Sequence, residues 1–252
     1  MTSEEVEAIV NPEEETEDTS RIPEIISLDL STAVPDMPQI AGVGLIEFFL
    51  VNGWRDTTLI HQKILEAILS DRFDLILAPE YSYQTNQPLE VEQYQQELKT
   101  ATIGKSALVV PGSTAWEDEN SYRDTGYVIF NGDTIKEQEK SILPDEIELW
   151  EHKGLRFGLE ICSDSGVFKR KGERNLDVLL TPAYALFDLE LATYGREEAL
   201  HKISSRLGYD ALRHGGIGIV NDSYFKIHIV YQKKEESGIE VLKSNLVNLE
   251  RD

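Results

Sequence analysis

Short apolar runs, each cut off by proline, glycine or a polar residue, are the feature that most restricts how this chain can fold. Leu75-Ile76-Leu77-Ala78 ends at Pro79-Glu80, and Leu108-Val109-Val110 ends at Pro111-Gly112-Ser113. Such runs are too short for helices and read as strands of the buried type. Further strands are expected over 45–51, 127–130, 157–162, 178–180, 217–220 and 225–231. Glu24-Ile25-Ile26-Ser27-Leu28-Asp29-Leu30 reads as an added strand, followed by a loop marked by Pro35 and Pro38. Asn131-Gly132 is a two-residue hairpin signal that sends the chain back toward Lys140.

Helical spacing separates these strands. Asp56 is an N-cap for a helix to about residue 70, with Ile60, Ile64, Ala67 and Ile68 on one face. A second helix is expected over 89–99 and a long helical region over about 188–214, with a break near Gly208 as the alternative. Strands and helices alternate, hairpins follow, and the alternation then resumes. That order predicts an α/β chain with a mixed sheet.

A chain of 252 residues can bury one large core, so residues 22–252 are expected to form one domain. Residues 1–21 carry eight Asp and Glu side chains and few apolar ones. They are expected to be a disordered acidic tail, because they bury too little surface to offset the entropy of ordering. The formal net charge of −22 argues against binding nucleic acid through phosphates and against docking on an anionic membrane. No apolar run is long enough to span a bilayer, and the acidic N-terminus has no secretory pattern. One cysteine permits no intramolecular disulfide and suits a reducing compartment, so a cytoplasmic location is expected.

That cysteine, Cys162, closes the run Phe157-Gly158-Leu159-Glu160-Ile161. A lone cysteine is ordinarily a small buried hydrophobe. Two other residues change its setting. Glu80 follows one strand at the end of an apolar run, and Lys140 lies past the hairpin. In α/β sheets, sites gather beyond the carboxyl ends of the strands. A carboxylate, an ammonium and a thiol meeting there can perform acyl transfer. The carboxylate takes the thiol proton, the thiolate attacks, and the ammonium stabilises the developing oxyanion. The five histidines show no metal-ligand spacing, so no metal is expected. Glu160 reads as structural.

Taken in order, these segments resemble the nitrilase superfamily of carbon–nitrogen hydrolases. Leu77-Ala78-Pro79-Glu80 is similar to that family's strand ending in Pro-Glu, and Val110-Pro111-Gly112-Ser113 to the small-residue turn after its next strand. Glu139-Lys140-Ser141-Ile142-Leu143 is similar to its Lys element, and Gly158-Leu159-Glu160-Ile161-Cys162-Ser163-Asp164 to its nucleophile elbow. The segment 177–184 and the run ending in Asn221 follow in the family's order.

The resemblance implies a four-layer α-β-β-α sandwich with mixed sheets. It implies Glu80 as base, Lys140 as oxyanion stabiliser and Cys162 as nucleophile, working without a cofactor on a small-molecule amide, nitrile or carbamoyl substrate through a thioester. Glu148, or its neighbour Glu146, matches a second glutamate that helps hold the site. The backbone N–H of Ser163 is implied as a second oxyanion donor, and Tyr81 and Tyr184 as pocket residues, with simple packing the alternative for both. Homo-oligomers, a dimer or higher, are also implied. The short interval from Lys140 to Cys162 implies a reduced pocket loop. The segment 167–171 lacks the family's usual wording, and the C-terminal part is expected to be abbreviated. Two alternatives accompany the hydrolase: acyl transfer on the same fold, and a catalytically degenerate member serving as an interaction module.

Overall fold

The alternation within Leu75-Ile76-Leu77-Ala78 divides side chains between two cores. Leu75 and Leu77 enter an apolar layer between two sheets, while Ile76 and Ala78 enter a layer under helices. Consecutive strand side chains point to opposite faces, so a run that is apolar throughout serves both layers. The computed structural model describes residues 22–48, 56–84, 88–117, 122–140, 148–162, 167–184, 209–222, 227–234 and 239–244. The acidic segment 1–21, Glu146, Ser163 and most of the helix expected over 188–214 lie outside these residues.

The first sheet is built from β1 (Glu24–Asp29), β2 (Gly42–Glu47), β3 (Leu75–Leu77), β4 (Tyr83–Gln84), β5 (Leu108–Val110), β6 (Ser113–Glu117), β7 (Tyr122–Phe130) and β8 (Asp133–Glu139). Its order is β1-β2-β3-β5-β7-β6-β4, with β8 paired to β7. β2, β3 and β5 run parallel, and β1 adds antiparallel at the edge. The second sheet holds β9 (Trp150–His152), β10 (Leu155–Leu159), β11 (Leu176–Ala183), β12 (Leu212–Asp222), β13 (Ile227–Lys233) and β14 (Ile239–Ser244), in the order β14-β13-β12-β11-β10-β9. β10, β11 and β12 are parallel and the flanking strands antiparallel. Both sheets are mixed, as expected.

Val43, Leu45, Leu75, Leu77, Leu108, Val110 and Val128 of the first sheet meet Phe157, Leu159, Ile161, Val178, Leu180, Ile217, Ile219 and Val230 of the second. Each buried side chain of this size contributes roughly 2 kcal/mol. On the outer face of the first sheet lie α1 (Thr57–Leu69) and α2 (Pro88–Thr102), burying Ile60, Ile64, Ala67, Ile68 and Leu98. Asp56 caps α1 as expected, its carboxylate accepting from Leu59 N at 3.0 Å. On the outer face of the second sheet the short α3 (Val167–Arg170) sets Phe168 over Gly158, where any Cβ would come within 2.6 Å of the ring. The layer order is α-β-β-α. Among the described residues no helix is long and apolar enough to cross a membrane.

The helix expected to reach residue 214 is corrected at its end. Tyr209–Ala211 form a single 3-10 turn and β12 begins at Leu212. Gly215 and Gly216 lie inside that strand. A Cβ at Gly216 would meet the Leu176 carbonyl oxygen at 2.7 Å, so the glycine is demanded by close sheet packing, not by a helix end.

The inter-sheet layer turns polar at one end. Glu47 continues the inward face of Val43 and Leu45, Asn221 that of Ile217 and Ile219, and His228 that of Val230. Asn221 Nδ2 donates to the Ile46 carbonyl at 2.9 Å and the Leu77 carbonyl at 2.7 Å, while His228 Nε2 donates to Glu47 Oε2 at 2.7 Å. These buried links tie the ends of β2 and β3 to β12 and β13. Asn221→Ala leaves two buried carbonyls without that donor and is expected to lower stability by about 2–3 kcal/mol. Urea denaturation measures this, and an unchanged midpoint would show that the link contributes nothing.

Candidate active site

Glu80 stands just beyond β3, on a turn shaped by its neighbours. Ser82 Oγ donates to the Pro79 carbonyl at 2.7 Å, and Tyr81 N donates to Ser113 Oγ at 3.0 Å. Tyr81 takes a φ of 58°, a left-handed conformation that non-glycine residues rarely adopt. Gly112 lies against this turn with φ 83°, and a Cβ there would stand 2.0 Å from the Pro79 oxygen. The Pro-Glu turn and the Pro-Gly-Ser turn are thus one packed unit that buries Glu80 completely.

Lys140 leaves the end of β8, and its amide N donates to the Asp124 carbonyl at 2.7 Å, extending the β7–β8 pairing by one residue. Its Nζ donates to Glu80 Oε1, stands 3.4 Å from Asp124 Oδ2, and lies 5.4 Å from the centre of the Tyr81 ring.

Cys162 comes from the other sheet. Leu159 and Ile161 point into the inter-sheet core, while the buried Glu160 points outward and accepts from Phe168 N at 3.1 Å, holding α3. Glu160 is structural, as expected. The chain then turns, with Cys162 at a φ of 44°. Left-handed non-glycine residues cluster at functional turns, and here both Tyr81 and Cys162 have this conformation. The thiol donates to the Tyr184 carbonyl at 3.3 Å, just past β11. The Tyr184 ring meets the Tyr81 ring edge-on, 5.9 Å between centres.

Glu80, Lys140, Cys162, Tyr81 and Tyr184 are therefore brought together. Among the described residues Glu80 Oε2 is buried and accepts no hydrogen bond of ordinary geometry. The thiol is an electrostatic neighbour of this carboxylate, although its hydrogen points at the Tyr184 carbonyl. Burial raises the Glu80 carboxyl to about 7; the Lys140 charge pulls against this and the Asp124 charge adds to it. Burial also raises the Cys162 thiol above its ordinary value, and the Glu80 charge adds to that. Burial pulls Lys140 down, but the Glu80 charge and hydrogen bond, with Asp124, overcome it and hold the ammonium above its ordinary range. At neutral pH the arrangement is a charged lysine, a protonated thiol and a carboxylate near its titration point.

Glu148 does not join this group, which corrects the expectation for that residue; the alternative, Glu146, lies outside the described residues. The Glu148 side chain is 74% exposed and its carboxylate pairs with Lys136 Nζ at 3.0 Å. Among the described residues the second carboxylate beside Lys140 is Asp124, which the sequence pattern did not single out. The signal lay in the hairpin register, which a one-residue shift between Val128 and Ile129 alters. Among the described residues no three His, Cys, Asp or Glu side chains converge to hold a metal ion.

The sequence matches no known family model and no curated protein. Solved structures do resemble the fold. An amidase of the nitrilase superfamily from Nesterenkonia AN1 superposes with a TM-score of 0.57 at 13% identity, over 81% of this chain and 87% of that one. A variant of the amidase from Nesterenkonia sp. AN1, carrying the acetamide moiety of fluoroacetamide on its active-site cysteine, gives 0.55 at 15% identity, over 79% and 88%. A glutamine-dependent NAD(+) synthetase from Cytophaga hutchinsonii gives 0.53 at 12% identity over 75% of this chain, which spans only 38% of the synthetase.

Glu148→Gln is expected to leave the rate at which iodoacetamide labels Cys162 unchanged. Mass spectrometry over time checks this, and a slowed rate would return Glu148 to the site. From the two packed mixed sheets to these superpositions, the chain has the carbon–nitrogen hydrolase fold of the nitrilase superfamily.

Proposed function

We propose that this chain is a thiol-dependent carbon–nitrogen hydrolase acting on a small amide. One observation carries the reading: a buried carboxylate, Glu80, has one oxygen on the Lys140 ammonium and lies beside the only thiol in the protein. The acetamide adduct on the active-site cysteine of the similarly folded amidase supports the same chemistry.

The steps follow from the geometry. Glu80 accepts the Cys162 proton as Sγ attacks the amide carbon, and the C=O electrons move onto oxygen beside Lys140 Nζ. Because burial keeps the thiol protonated, proton removal and attack occur together, not from a standing thiolate. The protonated Glu80 gives its proton to the departing nitrogen, the C–N bond breaks, and a thioester remains. Water attacks the thioester while Glu80 takes its proton. The C–S bond then breaks, the acid leaves, and Cys162 recovers the proton. Tyr81 and Tyr184 flank this path and present aromatic surface to the acyl group.

Cys162→Ala is expected to lower hydrolysis of short aliphatic amides by at least roughly a thousandfold while leaving the circular dichroism spectrum unchanged. Mass spectrometry of the wild type should trap an acyl adduct on Cys162. Full activity in the alanine variant would exclude the mechanism. The pH profile has a defined sign. Glu80 must be ionised to act as base, so kcat/KM falls as pH drops through about 7 and levels off above it. A midpoint at the ordinary carboxylate value, about 4.3, would remove Glu80 from that role.

A further inference from the structure

We propose that Asp124 is a positioning residue of this site, holding Lys140 charged and aimed through the step in which Glu80 becomes neutral. This rests on the hydrolase reading above and assigns a role to a residue outside the Glu-Lys-Cys set.

Asp124 lies on the inward face of β7, in line with Gly126 and Val128, at the polar end of the inter-sheet layer. It is buried, and neither carboxylate oxygen has a hydrogen bond among the described residues. A buried carboxylate left in that state is costly unless a charge faces it, and Lys140 Nζ does so at 3.4 Å.

The register produces this pairing. Phe130 pairs with Asp133 and Ile129 with Thr134, but Val128 pairs with Lys136, so Ile135 is skipped as a bulge. Continued without the bulge, the hairpin sets Lys140 opposite Arg123. With it, Thr125 pairs with Glu139 and Lys140 falls opposite Asp124. Directly opposed residues share a face of the sheet, so the bulge exchanges a like-charge pair for an ion pair.

Lys140 needs this second anion because its first one is consumed during the reaction. When Glu80 takes the Cys162 proton it is no longer a counter-charge. Among the described residues Lys140 would then have no counter-charge other than Asp124, in a mostly buried place, at the moment the oxyanion forms. Asp124 is not within the proton path and remains beside Nζ throughout. It also acts on Glu80. Among the described residues the groups that act on that carboxyl are Lys140, Asp124 and Cys162, and Asp124 is the anion among them. Its charge opposes ionisation of Glu80 and so strengthens Glu80 as a base.

The test follows iodoacetamide labelling of Cys162 across pH, together with hydrolysis of short aliphatic amides, in the wild type and in Asp124→Asn, Asp124→Glu and Glu148→Gln. Asp124→Asn is expected to move the labelling midpoint to lower pH by about one unit and to lower kcat by about tenfold with little change in KM. Asp124→Glu and Glu148→Gln should keep the wild-type midpoint. If Asp124→Asn melts uncooperatively, Asp124→Ala serves as the charge-removing variant. A folded charge-removing variant with the wild-type midpoint overturns the proposal even if its kcat falls, because a structural role alone predicts that pattern. The labelling readout is independent of turnover. A wild type that hydrolyses no amide, with a midpoint that still shifts in Asp124→Asn, sinks the hydrolase reading and sustains the role of Asp124.

Discussion

Everything at this site depends on the packing of one sheet against the other. Glu80, Asp124 and Lys140 belong to the first sheet, Cys162 and Tyr184 to the second. No local segment holds the carboxylate to the thiol. Their approach is set by the apolar layer around Leu45, Leu77, Leu159 and Leu180, and by Asn221, which reaches across it to the ends of β2 and β3. Protein interiors pack at crystal-like density and relax little, so such a layer can hold groups from distant chain segments at hydrogen-bond distance. The polar end of the same layer carries Glu47, His228, Asn221 and Asp124. The sandwich and the site are two ends of one inter-sheet face.

Burial does the electrostatic work. A glutamate and a lysine at the surface would be solvated and of little chemical use. Here the loss of water raises the carboxyl into the neutral range and keeps the thiol protonated, while two carboxylates keep the lysine charged. The left-handed turns at Tyr81 and Cys162 add backbone strain at the two points where the sheets present their groups. Strained residues of this kind persist only where surrounding structure over-determines them. Gly112 under one turn, and Glu160 with Phe168 under the other, are that structure.

Much of this was legible along the chain. The apolar runs located β3, β5, β10 and β11 to within a few residues, because a strand buried on both faces must be apolar throughout. Asp56 and Asn131-Gly132 were readable because a cap and a tight turn are local chemistry. β4 and β6 went unread, since two-residue pairing and the polar Ser113–Glu117 carry no run to see. Residues 212–214 were expected in a helix and are strand positions, because what decides them is pairing with β11, and Gly216 accommodates the Leu176 carbonyl of that strand.

Glu80, Lys140 and Cys162 were picked out by residue type and by place at or just beyond a strand end, and the sequence alone determines that much, since strand ends carry sites for topological reasons. It also determines the two-layer division of each strand, through a strict period of two. It does not decide which carboxylate faces Lys140. Glu148 stands at the spacing the resemblance implied and lies in solvent with Lys136; Asp124 is sixteen residues before Lys140 and lies beside it. The difference comes from the bulge at Ile135, which shifts one hairpin by a single residue. Because side chains alternate across a strand, that shift changes every partner beyond it. Only the packed sheets, which reward Gly126 against Leu159 and Ile161 and bury Asp124 against an ammonium, select the register that places it there.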